Sequence, residues 1–228
     1  MTKISAGSYD LNRWLHGGYE CDVITVIYGP SGSGKTNFCL LAAVSQAKQG
    51  NKVLYIDTEG GFSVERVKQL APQEYESILQ NIFLLSPTNF SEQKHAFEQL
   101  LTYLKRGISL VVVDGMTILY RLDVASARNQ DSDAVQKVNA ELARQLRTLA
   151  EIARKQHIPV VVTNQTYFWE KESRMVGGDI LRYWGKCHLE LLQEGGKRTV
   201  HLRKHRSLPE SSLPFYIVNE GIKKRGWI

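Results

Sequence analysis

Residues 29–36 constrain this chain more than any other stretch: Gly29, Pro30, Ser31, Gly32, Ser33, Gly34, Lys35 and Thr36 form a complete G-x-x-x-x-G-K-T loop. The backbone of such a loop is itself a binding site. Its glycines let successive N–H groups converge on nucleotide phosphates, and the helix that follows adds the positive end of its dipole. Lys35 reaches the β- and γ-phosphates as a compact charge, and Thr36 offers a hydroxyl to Mg²⁺. The flanks fit the motif. Val23 to Tyr28 is apolar and β-branched, which reads as a buried strand, and Asn37 to Val44 has helical composition without a breaker. Strand, glycine loop and helix in that order form the context in which the motif binds phosphate.

The rest of the chain reads as an α/β fold. Lys52–Asp57 and Val160–Gln165 read as further buried strands, and Asn81–Ser86 and Leu110–Asp114 as further strands. Between them, 63–80 is expected to be helical with a break at Pro72. A helix over 91–105 places Phe97, Leu100, Leu101 and Leu104 on one side. Apolar residues at Val135, Val138, Leu142, Leu146, Leu149 and Ile152 recur at three- and four-residue steps, the stripe of a long helix lying on a sheet. Uninterrupted apolar strands alternating with helices imply a mostly parallel central sheet covered by helices on both faces. The polar run 123–133 has few apolar anchors and reads as a mobile loop. Cys187–Gln193, a Gly195-Gly196 turn and Thr199–Lys204 read as a β-hairpin, followed by a strand at 213–218 and a surface tail at 223–225.

At 228 residues and a formal charge of +6, the chain suits one such domain and is compatible with a polyanionic partner. The three cysteines have no disulfide or metal-ligand spacing and read as reduced core thiols. No apolar signal core or membrane-length run occurs, so the expected location is the cytoplasm, at the nucleoid, away from any membrane.

Three further features narrow the chemistry. Asp114 ends a very apolar strand, where a carboxylate can hold Mg²⁺. Glu59, in Asp57-Thr58-Glu59-Gly60-Gly61-Phe62, follows a strand end and so falls beside the phosphates, able to polarise a water for attack on the γ-phosphate. Gln165 ends another strand; its neutral amide can bond a γ-phosphate and lose that bond on hydrolysis, or simply cap the strand.

These motifs together resemble the RecA-superfamily recombinases, most closely their archaeal RadB branch. The matching stretches run from Ile4-Ser5-Ala6-Gly7 and Leu15-His16-Gly17-Gly18, through GPSGSGKT, DTEGGFSVERV at 57–67, LVVVDGMT at 110–117, ELARQL at 141–146 and IPVVVTNQ at 158–165, to RKHRSLPE at 203–210. The resemblance implies a RecA-like P-loop NTPase core spanning residues 1–228, with ATP and Mg²⁺ as cofactors. Lys35, Thr36 and Asp114 would hold MgATP, Glu59 would activate water, and Gln165 would sense the nucleotide. It further implies that 123–133 and 166–180 are DNA-facing loops. Strand-exchange members add an N-terminal helical DNA-binding domain and a Phe-x-x-Ala hook, and this chain is expected to carry neither. Gly115 stands where a serine commonly follows the magnesium aspartate. The implied role is that of a recombination accessory, binding DNA, hydrolysing ATP weakly and acting with an archaeal recombinase or a Holliday-junction nuclease, with self-association allowed.

Tyr167, Phe168 and Trp169, followed by Lys171 and Arg174, interleave rings with cations, as single-stranded DNA contacts do; the same rings would equally suit burial. Lys197, Arg198, Arg203, Lys204 and Arg206 form an acid-free basic cluster. The resemblance assigns Lys204 and Arg206 as fingers reaching a neighbouring subunit's nucleotide. A DNA-backbone patch and a solvated hairpin face are the alternatives. Two other functions compete with the DNA accessory: an ATP switch for a protein partner, and a small-molecule phosphotransferase. The last lacks an arginine-rich lid and leaves Glu59 and Gln165 without a role.

Overall fold

The computed structural model describes residues 2–226 apart from 130, 170 and 171; the side chains of 168–174 are likewise outside the description. In chain order the elements are β1 (Lys3–Ile4), α1 (Tyr9–Trp14), β2 (Tyr19–Glu20), β3 (Ile24–Gly29), α2 (Lys35–Ala47) and β4 (Lys52–Asp57). Next come α3 (Val64–Leu70), α4 (Tyr75–Gln80), β5 (Ile82–Leu85), α5 (Phe90–Glu98), α6 (Leu100–Leu104) and β6 (Ile108–Asp114). The second half holds α7 (Ile118–Ala127), α8 (Ser132–Gln156), β7 (Val160–Trp169), β8 (Glu172–Met175), α9 (Gly178–Trp184), β9 (Gly185–Glu194), β10 (Lys197–Lys204), β11 (Ser211–Val218) and β12 (Gly221–Lys224).

A ten-stranded sheet organises the molecule, in the order β12-β11-β10-β9-β3-β7-β6-β4-β5, with β8 paired to β7. Pairings from β9 through β3, β7, β6 and β4 to β5 are parallel. Those of β9 with β10, β10 with β11 and β11 with β12 are antiparallel. Successive strand residues point to opposite faces, so both faces need apolar side chains. Tyr55, Leu110, Val112 and Val161 pack toward α2, while Leu54, Ile56, Val111, Val113, Val160 and Val162 pack toward α7 and α8. This two-sided burial is why the strands read as continuous apolar runs. It also carries the carboxyl ends of β3, β4, β6 and β7 to one rim, where an open α/β sheet places its ligands.

Four expectations from the sequence need correction. Residues 123–127 are helical: Leu119, Tyr120 and Ala127 sink one face of α7 into the core, and the polar residues form its outer face. Asp131, expected in a loop, accepts from the Ala134 N–H at 2.7 Å and caps α8. The helix expected over 91–105 is two helices broken at Gln99, which leaves Leu101 64% exposed while Phe97 and Leu100 are buried. Lys223 and Lys224 are exposed as expected, but they belong to a strand that extends the sheet. Among the described residues no helix is long and apolar enough to cross a membrane. All three cysteines are buried and unpaired.

Candidate functional site

The eight loop residues run from the end of β3 into the first turn of α2. β3 delivers the chain at Gly29, and α2 starts at Lys35 with Gly34 as its N-cap at φ +107°. An L side chain is strained at that angle, so glycine lets the loop close and points the first helical N–H groups inward. Lys35 is buried, and its Nζ donates to the carbonyls of Gly29 at 3.1 Å and Pro30 at 2.9 Å. Burial lowers its pKa although Glu59 and Asp114 oppose the shift. The lysine thus rests on its own loop, at the wall of a cavity. Ser33 is fully buried, and its hydroxyl has no hydrogen-bond partner. A cavity of ≈ 310 Å³ joins Ser31, Gly32, Gly34, Lys35 and Thr36 to Glu59 and Asp114.

Asp114, at the end of β6, is held from two sides. Thr163 donates to its Oδ1 at 2.7 Å and Tyr55 donates to its Oδ2 at 2.9 Å, with the Thr36 hydroxyl beside them. Burial raises its pKa, and these bonds work against the rise. A carboxylate fixed beside a threonine hydroxyl is a hard-oxygen pair suited to Mg²⁺, which takes one or two protein ligands and leaves the remainder to phosphate and water. Among the described residues no group of three or more His, Cys, Asp or Glu gathers to hold a metal alone. The space fits as well: a Cβ on Gly61 would lie 3.3 Å from Thr36 Oγ1 and 3.8 Å from Asp114 Oδ2.

The loop after β4 is organised by Asp57, to which the sequence reading gave no role. Its carboxylate accepts from the N–H groups of Glu59 at 3.2 Å, Gly61 at 3.1 Å and Phe62 at 2.8 Å. An aspartate followed at three and four residues by glycines was the available signal, since such a turn wraps around its own carboxylate. The wrapped turn aims Glu59 at Gln165, whose Nε2 donates to Glu59 Oε2 at 2.9 Å. The two residues had separate expected roles, and they meet. Burial raises the Glu59 pKa, with the Gln165 bond opposing. Behind them, Thr117 donates to Asn164 Oδ1, and Asn164 Nδ2 donates to the Val176 carbonyl at 2.8 Å. The site is therefore bonded to the segment that follows β8. Gly115 is required as glycine: at φ +94°, a Cβ there would sit 2.3 Å from Thr58 Oγ1 and 2.8 Å from Glu59 Cγ.

Residues 1–225 match the family model described as Rad51. The chain belongs to the Rad51 family, in its RadB branch. It is 37% identical over 214 residues to the DNA repair and recombination protein RadB of Methanococcus maripaludis, covering 93% of this chain and 97% of that one. It is 37% identical to RadB of Methanocaldococcus jannaschii, covering 93% and 98% of the two chains. With RadB of Methanobrevibacter smithii the identity is 39%, over 93% and 92%.

For this Rad51-family chain, two stretches of the segment expected to meet DNA, 166–169 and 172–175, pair antiparallel, with Tyr167 opposite Arg174 and Phe168 opposite Ser173. Tyr167 is 39% exposed. The side chains of Phe168, Trp169 and Arg174, and Lys171 altogether, lie outside the described residues. The two expected fingers are engaged within their own chain. Lys204 donates to the carbonyls of Arg182 at 2.8 Å and Gly185 at 2.9 Å. Arg206 grips Asp22 through both terminal nitrogens, at 3.1 and 2.8 Å, and lies 2.9 Å from the buried Glu20. The solvated-face reading of this cluster therefore does not describe Arg206. Arg198, read from the sequence only as a member of the basic cluster, lines the phosphate-loop cavity.

Proposed function

We propose that this chain is an ATP-dependent DNA repair and recombination accessory. It would bind ATP with Mg²⁺, hydrolyse ATP weakly, contact DNA and modulate a recombinase or junction-resolving nuclease, without driving strand exchange. The observation that carries the reading is the Glu59–Gln165 hydrogen bond, poised beside Lys35 and Asp114. Lys35 would exchange loop carbonyls for phosphate oxygens, and Thr36 and Asp114 would hold the magnesium. When bound, the ion would supply neutralisation of the phosphate charge. Glu59 would orient the attacking water. Burial raises its pKa, so the acid limb of turnover should lie at higher pH than an ordinary glutamate would give. A γ-phosphate that drew the Gln165 amide away from Glu59 would also pull on Asn164 and so on the Val176 end of the neighbouring hairpin. That chain of bonds supports nucleotide control of the segment assigned to DNA.

A protein-partner switch without DNA is the second reading, favoured by the engagement of Lys204 and Arg206 inside the fold. Binding of single- and double-stranded DNA across a salt series, with and without ATP, separates the two. Affinity that falls steeply with salt is expected of phosphate neutralisation; no binding at low salt leaves the switch. Glu59→Gln should keep ATP affinity and lower turnover by about 10²-fold or more, in line with loss of a water-positioning base. Undiminished hydrolysis would remove Glu59 from catalysis.

A further inference from the structure

The tip of the β9–β10 hairpin leans over the phosphate loop. Arg198 lies in β10, opposite Gln193 of β9 and Phe215 of β11. Its Nη2 donates to the Gly32 carbonyl at 3.4 Å, and its Nε is buried with no acceptor. Among the described residues no carboxylate pairs with it, in contrast to Arg203, held by Glu190, and Arg206, held by Asp22 and Glu20. Together with Lys35 it faces the cavity that holds Glu59 and Asp114.

A 3.4 Å bond to one carbonyl is weak, and a buried N–H without an acceptor is costly to keep. Both defects are repaired by one kind of ligand, an anion with several acceptor oxygens in front of a planar donor fork. Lys35 shows the same arrangement, parked on the carbonyls of Gly29 and Pro30.

We propose that Arg198 is a second phosphate-binding cation of the nucleotide site, supplied by the antiparallel hairpin of the same chain. The inference rests on the nucleotide reading above and deepens it: the ligand class is a nucleoside di- or triphosphate, gripped from the loop side by Lys35 and from the hairpin side by Arg198. When phosphate arrives, the guanidinium leaves the Gly32 carbonyl for phosphate oxygens. The hairpin is thereby tied to the occupied loop, and nucleotide binding and hairpin docking strengthen each other.

The test titrates the full chain with ATP and ADP in the presence of Mg²⁺, beside Lys35→Ala, Arg198→Gln and Arg198→Glu. Loss of one charge-assisted contact predicts about tenfold weaker binding for Arg198→Gln. Charge reversal predicts a further loss of about tenfold or more for Arg198→Glu. The ligand-free Arg198→Gln protein should melt with the unaltered chain; if it does not fold, Arg198→Met, of similar length, takes its place. Affinity within twofold of the unaltered chain for Arg198→Gln, while Lys35→Ala loses binding, overturns the proposal and leaves the site reading standing. Equal losses for the Gln and Glu variants make Arg198 a packing residue and also overturn it. Absence of ATP binding by the unaltered chain overturns the site reading itself.

Discussion

Two charge-rich regions of this chain look alike as strings of letters and behave as opposites in the fold. Around the phosphate loop, Lys35, Arg198, Glu59 and Asp114 share one cavity, and both cations rest on carbonyls they can exchange for a ligand. Around 203–206, Arg203, Lys204 and Arg206 are committed to Glu190, to the Arg182 and Gly185 carbonyls, and to Asp22 with Glu20. His205 is buried in the same cluster, its Nε2 3.6 Å from Glu20 Oε2, while its Nδ1 accepts from the Ser207 and Leu208 N–H groups. The first region leaves its cations on carbonyl oxygens, which suits the proposed nucleotide site. The second fastens the end of β10 to the start of β3. A run of positive residues therefore says nothing about whether its charge is available; the acids placed opposite decide that.

The comparison can be broken most directly at Arg206. Arg206→Ala leaves Glu20, 2% exposed, buried without its cation, and should cost about 3–4 kcal/mol of stability while leaving nucleotide affinity unchanged. Denaturant unfolding checks this, and wild-type stability would return Arg206 to the free cations. On the nucleotide side, Gly115→Ala drives a Cβ to within 2.3 Å of Thr58 Oγ1 at φ +94°, an expected cost of about 3 kcal/mol. Here the loss should extend to ATP affinity, because Glu59 is displaced as well. An alanine variant that melts and binds like the parent would refute the steric argument.

A smaller effect comes from His188, between the two regions. Burial, with Lys204, Arg182 and Lys186 nearby, lowers its pKa from 6.5 to about 4. The folded state then favours the neutral ring, so its contribution is complete above pH 6.5 and is lost as pH falls toward 4. The expected loss is about 2–3 kcal/mol over that window. His188→Asn should flatten the acid limb of the stability profile, and an unchanged limb would show that the ring does not titrate there. Smallest is Lys204→Ala, which removes a cap from the last carbonyls around α9 at a cost of about 1 kcal/mol. Normal stability with a collapse of ATP turnover would instead move Lys204 to the phosphate side of the comparison.

Much of this was legible locally. The phosphate loop, the strands before and after it, the break at Pro72 and the long α8 stripe are each contained in a dozen or two residues. There, backbone preference and side-chain period act directly. What escaped was the second partner of each interaction. Asp114 was read as a strand-end carboxylate, yet its orientation depends on Tyr55 and Thr163, 59 and 49 residues away. Asp57 looked like part of a motif and is the pivot of its turn. The polar face of α7 passed for a loop because its apolar anchors, Leu119 and Tyr120, precede the polar run.

By itself the sequence determined the glycine-rich loop between strand and helix, the alternating architecture and the residues that could hold a nucleotide, because glycine conformations and strand periodicity are properties of neighbouring residues. Only the tertiary structure decided which charges are spent inside the fold and which stay available. Arg198 meets Gly32 across 166 residues and Arg206 meets Asp22 across 184. The sheet order that brings those segments together is set by packing of both faces, which no local pattern encodes.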